Sequence, residues 1–590
     1  MTRETVFFDT PARRAMSVIV SRERVRGRFE AGDSPRSVGS RLAFARRLEV
    51  FKRGDLKGLP VFWRRTLAEP FPEAYRHPWP CTSSATGYHR GMAGPLLPDA
   101  LRVHPQDDVL VALRDLQPGE TIRSAADAIV ARTAVPRGHK IAVAAIAAGS
   151  LVHKYGWPIG RATRDISPGE HVHTHNLATT LTAHSEYTYT PPPPAAEPNA
   201  AEARTFLGYP RRNGRVGTRN ELWIVCTVGC VARTARRIAD IAAERLRGKV
   251  DGVYALTHPF GCSQLGDDLA HTRRLLASLV THPNAGGVLV VGLGCENNQL
   301  AALLGTADFD AERVRSFNAQ AVSDEVEEGV HALEELAQLV ARDAREPRPL
   351  SDLVLGLKCG GSDAFSGLTA NPLVGRVSTE LARAGGTPIL TEIPETFGAE
   401  QLLMARAVDR NVFDAVGTLV NDFKHYFTAA GQPVSENPSP GNQAGGITTL
   451  EEKSLGAVQK AGEAPLTQVL RYGERVRRSG LALLEAPGND AISGTALAAA
   501  GATLLLFTTG RGTPLGFPAP TLKISSNSAL AQAKPRWIDF DAGTLLTGEG
   551  MDERSRSLLD LIVATASGQP TRAELNGERE LAIWKTGVTL

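Results

Sequence analysis

Three histidines occupy alternate positions in Gly169-Glu170-His171-Val172-His173-Thr174-His175-Asn176, and a fourth lies in Pro136-Arg137-Gly138-His139-Lys140. In an extended segment, positions i, i+2 and i+4 share one face. Neutral imidazoles grouped in this way are common ligands for Fe(II), Mn(II) or Zn(II), and imidazole also moves protons near neutral pH. A solvated, histidine-rich strand end gives the same pattern without chemistry. A second pattern is topological. Four of the six cysteines follow short apolar runs and sit beside glycine: Gly229-Cys230, Gly261-Cys262, Gly294-Cys295-Glu296 and Lys358-Cys359-Gly360. Thiolates at such places bind soft metals, whereas a lone cysteine after an apolar run is usually a small buried hydrophobe. The spacing is not CxxC, so the sequence leaves open whether the four converge. Cys226 falls one residue off the pattern and reads as core. Arg511, between Gly510 and Gly512, has the fork geometry that clamps a carboxylate, or it marks an ordinary surface turn.

The elements that must position these groups follow from punctuation. Between the proline run at 191–194 and the C-terminus, short apolar runs alternate with helical-length segments. That alternation marks a parallel sheet covered on both faces. Candidate strands are Leu222–Thr227, Gly252–Leu256, Gly287–Val291, Leu353–Leu357, Pro388–Thr391, Leu481–Leu484, Ala502–Phe507 and Thr521–Ile524. Candidate helices between them include Ala232–Arg245, Asp267–Val280 and Ala399–Val408. In open α/β sheets ligands bind outside the carboxyl ends of the strands, where the cysteines and Arg511 fall. The Pro/Gly/Asn loop Asn437–Gly446 reads as a subdomain boundary. Before the prolines, short strands at Asp108–Leu113, Ile141–Ala144 and Leu151–Tyr155, separated by Pro-Gly turns, predict a small β-rich module. The expected organisation is an extension (1–95), a β-rich module (96–190), a proline-rich linker (191–204), an α/β domain (205–345) and a C-terminal α/β domain (346–590).

Composition bounds the class. With 590 residues, 42% hydrophobic and 22% charged, the chain is ordinary globular material of several domains. No apolar run approaches the roughly 18 residues of a membrane helix, and six cysteines make no secreted disulfide framework. A soluble cytoplasmic protein is expected. Up to Arg90 there are 18 Lys and Arg against 9 Asp and Glu, so the rest of a chain of net charge +3 is acidic. That Arg-rich leader has no sustained period and reads as a poorly ordered extension, with a targeting presequence or a nucleic-acid tail as the other readings. Neither GxGxxG nor GxxxxGK[ST] follows any strand, which argues against nucleotide-dependent hydride chemistry.

Taken in order, PRGHK (Pro136–Lys140), KYGWPIG (Lys154–Gly160), GEHVHTHN (Gly169–Asn176), GRVGTRN (Gly214–Asn220), HPFGCSQLGDD (His258–Asp268), GLGCENNQ (Gly292–Gln299), LKCGGSDAFSGLTANP (Leu357–Pro372), ENPSPGN (Glu436–Asn442), GGITTLEEKSLG (Gly445–Gly456), EAPGND (Glu485–Asp490) and FTTGRGTPLG (Phe507–Gly516) resemble the altronate dehydratase family, which includes galactarate dehydratase and is similar to the (2R)-sulfolactate sulfo-lyase subunits. The resemblance runs from about Leu101 to Leu590. It implies a small N-terminal module of the SAF type joined to a large α/β catalytic body. It also implies a lyase that removes water from a sugar acid in hexuronate (galacturonate) catabolism, with Fe(II) or Mn(II). Within the family the expected substrate is D-altronate, giving 2-dehydro-3-deoxy-D-gluconate, with a galactarate dehydratase or a (2R)-sulfolactate sulfo-lyase-like enzyme as alternatives; an iron–sulfur cluster and a non-catalytic sugar-acid-binding protein are the competing readings. The implied partner is a small sugar acid rather than nucleic acid or membrane, and a homo-oligomer is compatible.

Dehydrating a 2,3-dihydroxy acid requires loss of a very weakly acidic proton beside a carboxylate already negative. A Lewis-acidic metal offsets the accumulating charge, and a general base and general acid contribute roughly 10²–10⁴-fold each. Roles follow as expectations. His173, His175, Cys262, Cys295, Glu296 and Cys359 are the metal-ligand candidates. His139, Lys140, His171, Lys358 and Asp363 are the acid–base candidates. Asn297, Ser362, Asn489 and Arg511 are expected to hold the substrate.

Overall fold

The small module is built from strands β1 (Val109–Ala112), β2 (Lys140–Ala142), β3 (Leu151–Lys154), β4 (Trp157–Ala162) and β5 (His171–Val172) in a computed structural model that describes residues 98–124, 128–190 and 204–590. The Arg-rich leader and nearly all of the proline linker lie outside the described residues. β1, β2 and β5 are antiparallel neighbours, and β3 pairs with β4. The register sets Lys140 against Val172 and Ile141 against His171. That pairing is what carries His139 to the histidine-rich end of β5.

The second domain is a parallel sheet of β6 (Glu221–Cys226), β7 (Val253–Leu256), β8 (Ala285–Gly292) and β9 (Val314–Asn318), in spatial order β7-β6-β8-β9. Every residue of β6 is buried, as expected of a strand covered on both faces. Leu222, Ile224 and Cys226 pack with helices α1 (Ala232–Arg245) and α3 (Glu325–Val340). Trp223 and Val225 face the other way, towards α2 (Gly266–Val280), within the core shared with the C-terminal domain.

The C-terminal domain is a seven-stranded parallel sheet: β10 (Val354–Cys359), β11 (Thr387–Leu390), β12 (Leu466–Leu470), β13 (Leu481–Leu484), β14 (Leu504–Thr509), β15 (Thr521–Ser525) and β16 (Phe540–Asp541), ordered β12-β13-β11-β10-β14-β15-β16. The chain runs outward from β10 to one edge, then returns to β14 on its other side. The switch point therefore falls between β10 and β14. Helices α4 (Ala370–Arg383), α5 (Arg410–Ala429), α6 (Leu450–Ala457), α7 (Asp490–Ala499) and α8 (Met551–Ala566) complete this domain.

Three sequence expectations change. The helix expected over Ala399–Val408 is only Glu400–Met404, and the 20-residue α5 follows it. The edge strand β12 was not among the candidates. Its neighbour β13 was, because it is the more apolar of the two. The loop expected as a subdomain boundary folds into the short helix Pro440–Ala444, with Ser439 and Asn442 closing its first turn, and lies over the functional site. Among the described residues no helix is long and apolar enough to cross a membrane.

Candidate active site

The carboxyl ends of β10 and β14 flank the switch point, the place where open α/β sheets bind ligands. β10 ends in Lys358-Cys359, both buried. Lys358 Nζ reaches Asp490 Oδ1 at 2.7 Å and Glu392 Oε1 at 3.0 Å, and lies 4.5 Å from the centre of the Phe507 ring. Burial works against its charge, but Asp490 and Glu392 outweigh burial and raise the ammonium's pKa. Lys358 is therefore a fixed cation, which corrects its expected part in proton transfer. Glu392 is a non-glycine residue at φ 68°, a left-handed conformation of the kind that persists only where surroundings over-determine it. Here Lys358 holds one carboxylate oxygen and Cys359 N–H donates to the other at 3.0 Å.

A chain of charge extends from there. Lys460 Nζ lies 3.0 Å from Cys359 Sγ, the thiol donates to Glu395 Oε2 at 3.0 Å, and Lys453 Nζ meets Glu395 Oε1 at 2.7 Å. Burial, then the Glu395 charge, pushes the Cys359 thiol up to about 12, so it stays protonated. Among the described residues, Cys359, Glu392 and Glu395 are the one group of three metal-type donors drawn within 4.8 Å of one another. Each already has its own lysine, which an arriving dication would have to displace.

The imidazoles form a separate group. Ring centres lie 5.1 Å apart for His139 and His171, 4.8 Å for His139 and His173, 5.4 Å for His171 and His173, and 5.3 Å for His171 and His175. His139 Nδ1 and His171 Nε2 are 3.0 Å apart, and His173 Nε2 donates to Gln443 O at 3.1 Å. Burial, then neighbouring positive groups, holds His171 down to about 3 and His173 to about 4. Both rings are neutral at physiological pH, the form that ligates a divalent metal or accepts a proton. Among the described residues no carboxylate pairs with them and no lysine hydrogen-bonds them, so the donor chemistry fits a divalent ion.

The module is locked onto the body beside this group. Gly138 and Gly446 face one another; a Cβ on Gly446, at φ +96°, would lie 2.3 Å from Gly138 O. Lys140, expected as an acid–base group, is instead fully buried beneath the interface, donating to Gly446 O (2.8 Å), Thr448 Oγ1 (2.6 Å) and Glu452 Oε2 (2.8 Å). Lys154 takes the other oxygen of Glu452 at 2.8 Å. Burial brings Lys140 down to about 8. Three successive residues of α6 thus serve three regions. Glu451 accepts from Thr179 and Thr180, Glu452 from the two module lysines, and Lys453 bonds Glu395.

The other expected residues divide. Ser362 and Asp363 are in the loop after β10; Asn442 donates to Ser362 O at 2.8 Å. Asp363 is buried and accepts from Ser366, Ser526 and Asn527, and burial raises its pKa. Arg511 is exposed on the neighbouring loop after β14, its backbone N–H donating to Gly361 O at 2.9 Å, and its side chain passes Gly441. Asn489 is an exposed helix cap, its Oδ1 accepting from Ala491 and Ile492 N–H at 3.1 Å. Asn297, Cys262, Cys295 and Glu296 belong to the second sheet, so they form no ligand set with Cys359. Glu296 is buried and accepts from Thr227 Oγ1, Leu293 N–H and Gly294 N–H, a loop fastener rather than a free ligand. Sequence reasoning passed over Glu452, Lys453, Lys460 and Lys154. The available signal was α6 itself, whose Glu-Glu-Lys run is buried where a helix of low amphipathicity leaves no solvated face.

Comparison with known proteins fits this layout. Residues 98–180 match the altronate/galactarate dehydratase SAF domain, residues 208–341 the D-galactarate dehydratase/altronate hydrolase second domain, and residues 350–589 the D-galactarate/altronate dehydratase C-terminal domain. The chain belongs to the altronate/galactarate dehydratase family. As a member it is a dehydratase, a carbon–oxygen lyase. The chain is 51% identical over 500 residues to altronate dehydratase of Bacillus subtilis (strain 168), covering 83% of this chain and 99% of that one. It is 51% identical over 493 residues to altronate dehydratase of Escherichia coli (strain K12), covering 83% and 99%. The L-threo-forming galactarate dehydratase of the same E. coli strain is 36% identical over 504 residues, covering 80% and 93%. In this dehydratase the SAF-type module supplies the imidazoles and the C-terminal domain supplies the lysine–carboxylate chain.

Proposed function

We propose that this dehydratase converts D-altronate to 2-dehydro-3-deoxy-D-gluconate and water, with Fe(II) or Mn(II), in hexuronate breakdown. The observation that carries the reading is 51% identity to two altronate dehydratases across 99% of each, against 36% for the galactarate enzyme. His173 and His175 would hold the ion. When bound, it supplies Lewis acidity that offsets charge on the substrate carboxylate.

The chain's own residues account for the rest. Arg511 pairs with the substrate carboxylate in fork geometry. His171, neutral and 3.0 Å from His139, takes the proton from carbon 2 while the dyad shares the resulting charge. The hydroxyl at carbon 3 leaves as water, taking its proton from a donor among the loop groups. The enol so formed becomes the 2-keto acid on protonation at carbon 3. The second-domain cysteines have no part in this reading.

Electrostatics favour a single carboxylate. Lys140 and Lys154 are committed to Glu452, Lys453 to Glu395, and Lys358 to Glu392 and Asp490, while Lys460 meets the Cys359 thiol; Arg511, exposed on the loop after β14, is the cation assigned to the substrate carboxylate. A dicarboxylate such as galactarate would require a second clamp. The test is turnover of altronate, galactarate and sulfolactate by the reduced, iron- or manganese-loaded enzyme, read as 2-keto-3-deoxy acid. Equal turnover by fully chelated enzyme would overturn the metal role, and preference for galactarate would overturn the substrate.

A further inference from the structure

We propose that Cys230, Cys262 and Cys295 form a second metal site in this chain, one that holds an iron–sulfur cluster of the 4Fe–4S type by three thiolates. All three are exposed free thiols. They rise from the loops that follow β6, β7 and β8, three adjacent strands of one parallel sheet. β6 and β8 also flank that sheet's own switch point.

The loops are fastened to one another rather than merely adjacent. Gly229 N–H donates to Phe260 O at 2.8 Å, Asn298 N–H to Gly261 O at 2.9 Å, Ser263 N–H to Asn297 Oδ1 at 2.8 Å, and Asn298 Nδ2 to Thr227 O at 3.1 Å. Gly261 sits at φ +99° where a Cβ would lie 2.1 Å from Thr227 O, so only glycine allows the loop bearing Cys262 to close on the loop bearing Cys230. Ser263, next to Cys262, is held at φ 57°, a strained conformation for a non-glycine residue.

The spread of the thiols selects the ligand. A single tetrahedral ion with bonds of about 2.3 Å to sulfur needs its sulfurs roughly 3.8 Å apart. Among the described residues the three thiols are not drawn within 4.8 Å of one another, as Cys359, Glu392 and Glu395 are. A cluster, in which each thiolate binds a different iron, takes thiols set further apart than a single ion does. The surroundings suit an anionic group. Helix α1 begins two residues after Cys230 and helix α2 four residues after Cys262, so each of these loops leads directly into a positive helix end. Arg273 and Arg236 bond the same loops through Asn298 and Thr257. Ligation replaces three small-molecule thiolates on the cluster with three cysteine thiolates; each cysteine proton passes to a departing thiolate, which leaves as the free thiol, and no electron enters or leaves the protein.

The test is anaerobic ligand exchange. The full chain is incubated with a preformed synthetic 4Fe–4S cluster carrying small-molecule thiolates, then desalted. The expected result is about four iron and four sulfide retained per chain, with the broad absorption near 400 nm of such clusters. Cys230→Ser, Cys262→Ser and Cys295→Ser should each lose most of it while keeping the far-UV circular dichroism of the unmodified chain. Cys359→Ser and His173→Ala should keep it, which separates this site from the catalytic one. No retained cluster in the unmodified chain, retention by the serine variants, or tight binding of zinc alone in one-to-one ratio would each overturn the proposal.

Discussion

Glu452 stands between two lysines of the small module, with Oε2 2.8 Å from Lys140 Nζ and Oε1 2.8 Å from Lys154 Nζ, all three groups buried. One carboxylate of the body thereby fixes two strands of the module, and through them the imidazoles. Burial opposes its charge, yet the two lysines outweigh burial and hold the carboxyl near 2. Removing one partner from such a buried arrangement strands the others. Glu452→Gln is expected to destabilise the fold by about 3–5 kcal/mol in chemical denaturation. A loss under 1 kcal/mol would show that the module is held elsewhere.

Gly446→Ala tests the same contact by shape. The added Cβ meets Gly138 O and must be placed at positive φ, so either the loop or the module shifts. We expect turnover to fall at least tenfold through displaced imidazoles, with unchanged affinity of the second-domain thiols for iron. Unchanged turnover would mean that the Gly138 loop can move without cost.

His171→Ala should lower kcat by roughly 10²–10⁴, the usual worth of a positioned base. Bound iron or manganese, measured by elemental analysis, should fall far more in His173→Ala than in Cys359→Ala. Turnover and metal content that survive both changes would remove the imidazoles from the mechanism.

Arg511→Gln should raise KM for altronate about ten- to a hundredfold with little change in kcat. That follows from losing a charge-assisted hydrogen bond worth about 1.5–3 kcal/mol. A loss confined to kcat would move Arg511 from binding the carboxylate to the chemical step.

His282 makes the fold acid-sensitive. It is buried at the junction of the second and C-terminal domains, stacked on Trp223 and donating to Ala502 O at 3.1 Å, while Nδ1 accepts from Asn284 N–H. Burial lowers its pKa from 6.5 to about 3. Between those values the unfolded chain binds a proton that the native ring refuses, so stability falls as pH falls, by up to about 1.4 kcal/mol per pH unit from this group. His282→Phe should be less stable at neutral pH, but its stability should decline less steeply on acidification. Parallel slopes in urea titrations would assign the acid sensitivity to other groups.

The sequence by itself determined the α/β class, the β-rich module, most of the strands and the histidine octet, because hydrophobic period, Pro-Gly turns and local motifs are written along the chain. The family followed from motifs in order. Which distant groups meet was decided only by tertiary structure. Lys140 and Lys358 read alike as acid–base residues, yet burial on Glu452 lowers the pKa of Lys140 to about 8, while Asp490 and Glu392 raise that of Lys358. Asn489 read only as a ligand, and the structure shows that it also caps α7. Cys359 looked like the fourth of a set with Cys230, Cys262 and Cys295, yet it ends a strand of a different sheet. For the lysines and for Cys359 the physical reason is the same. A side chain's charge state and partners depend on desolvation and on neighbours about 30 to 310 positions away, and no local pattern encodes those distances.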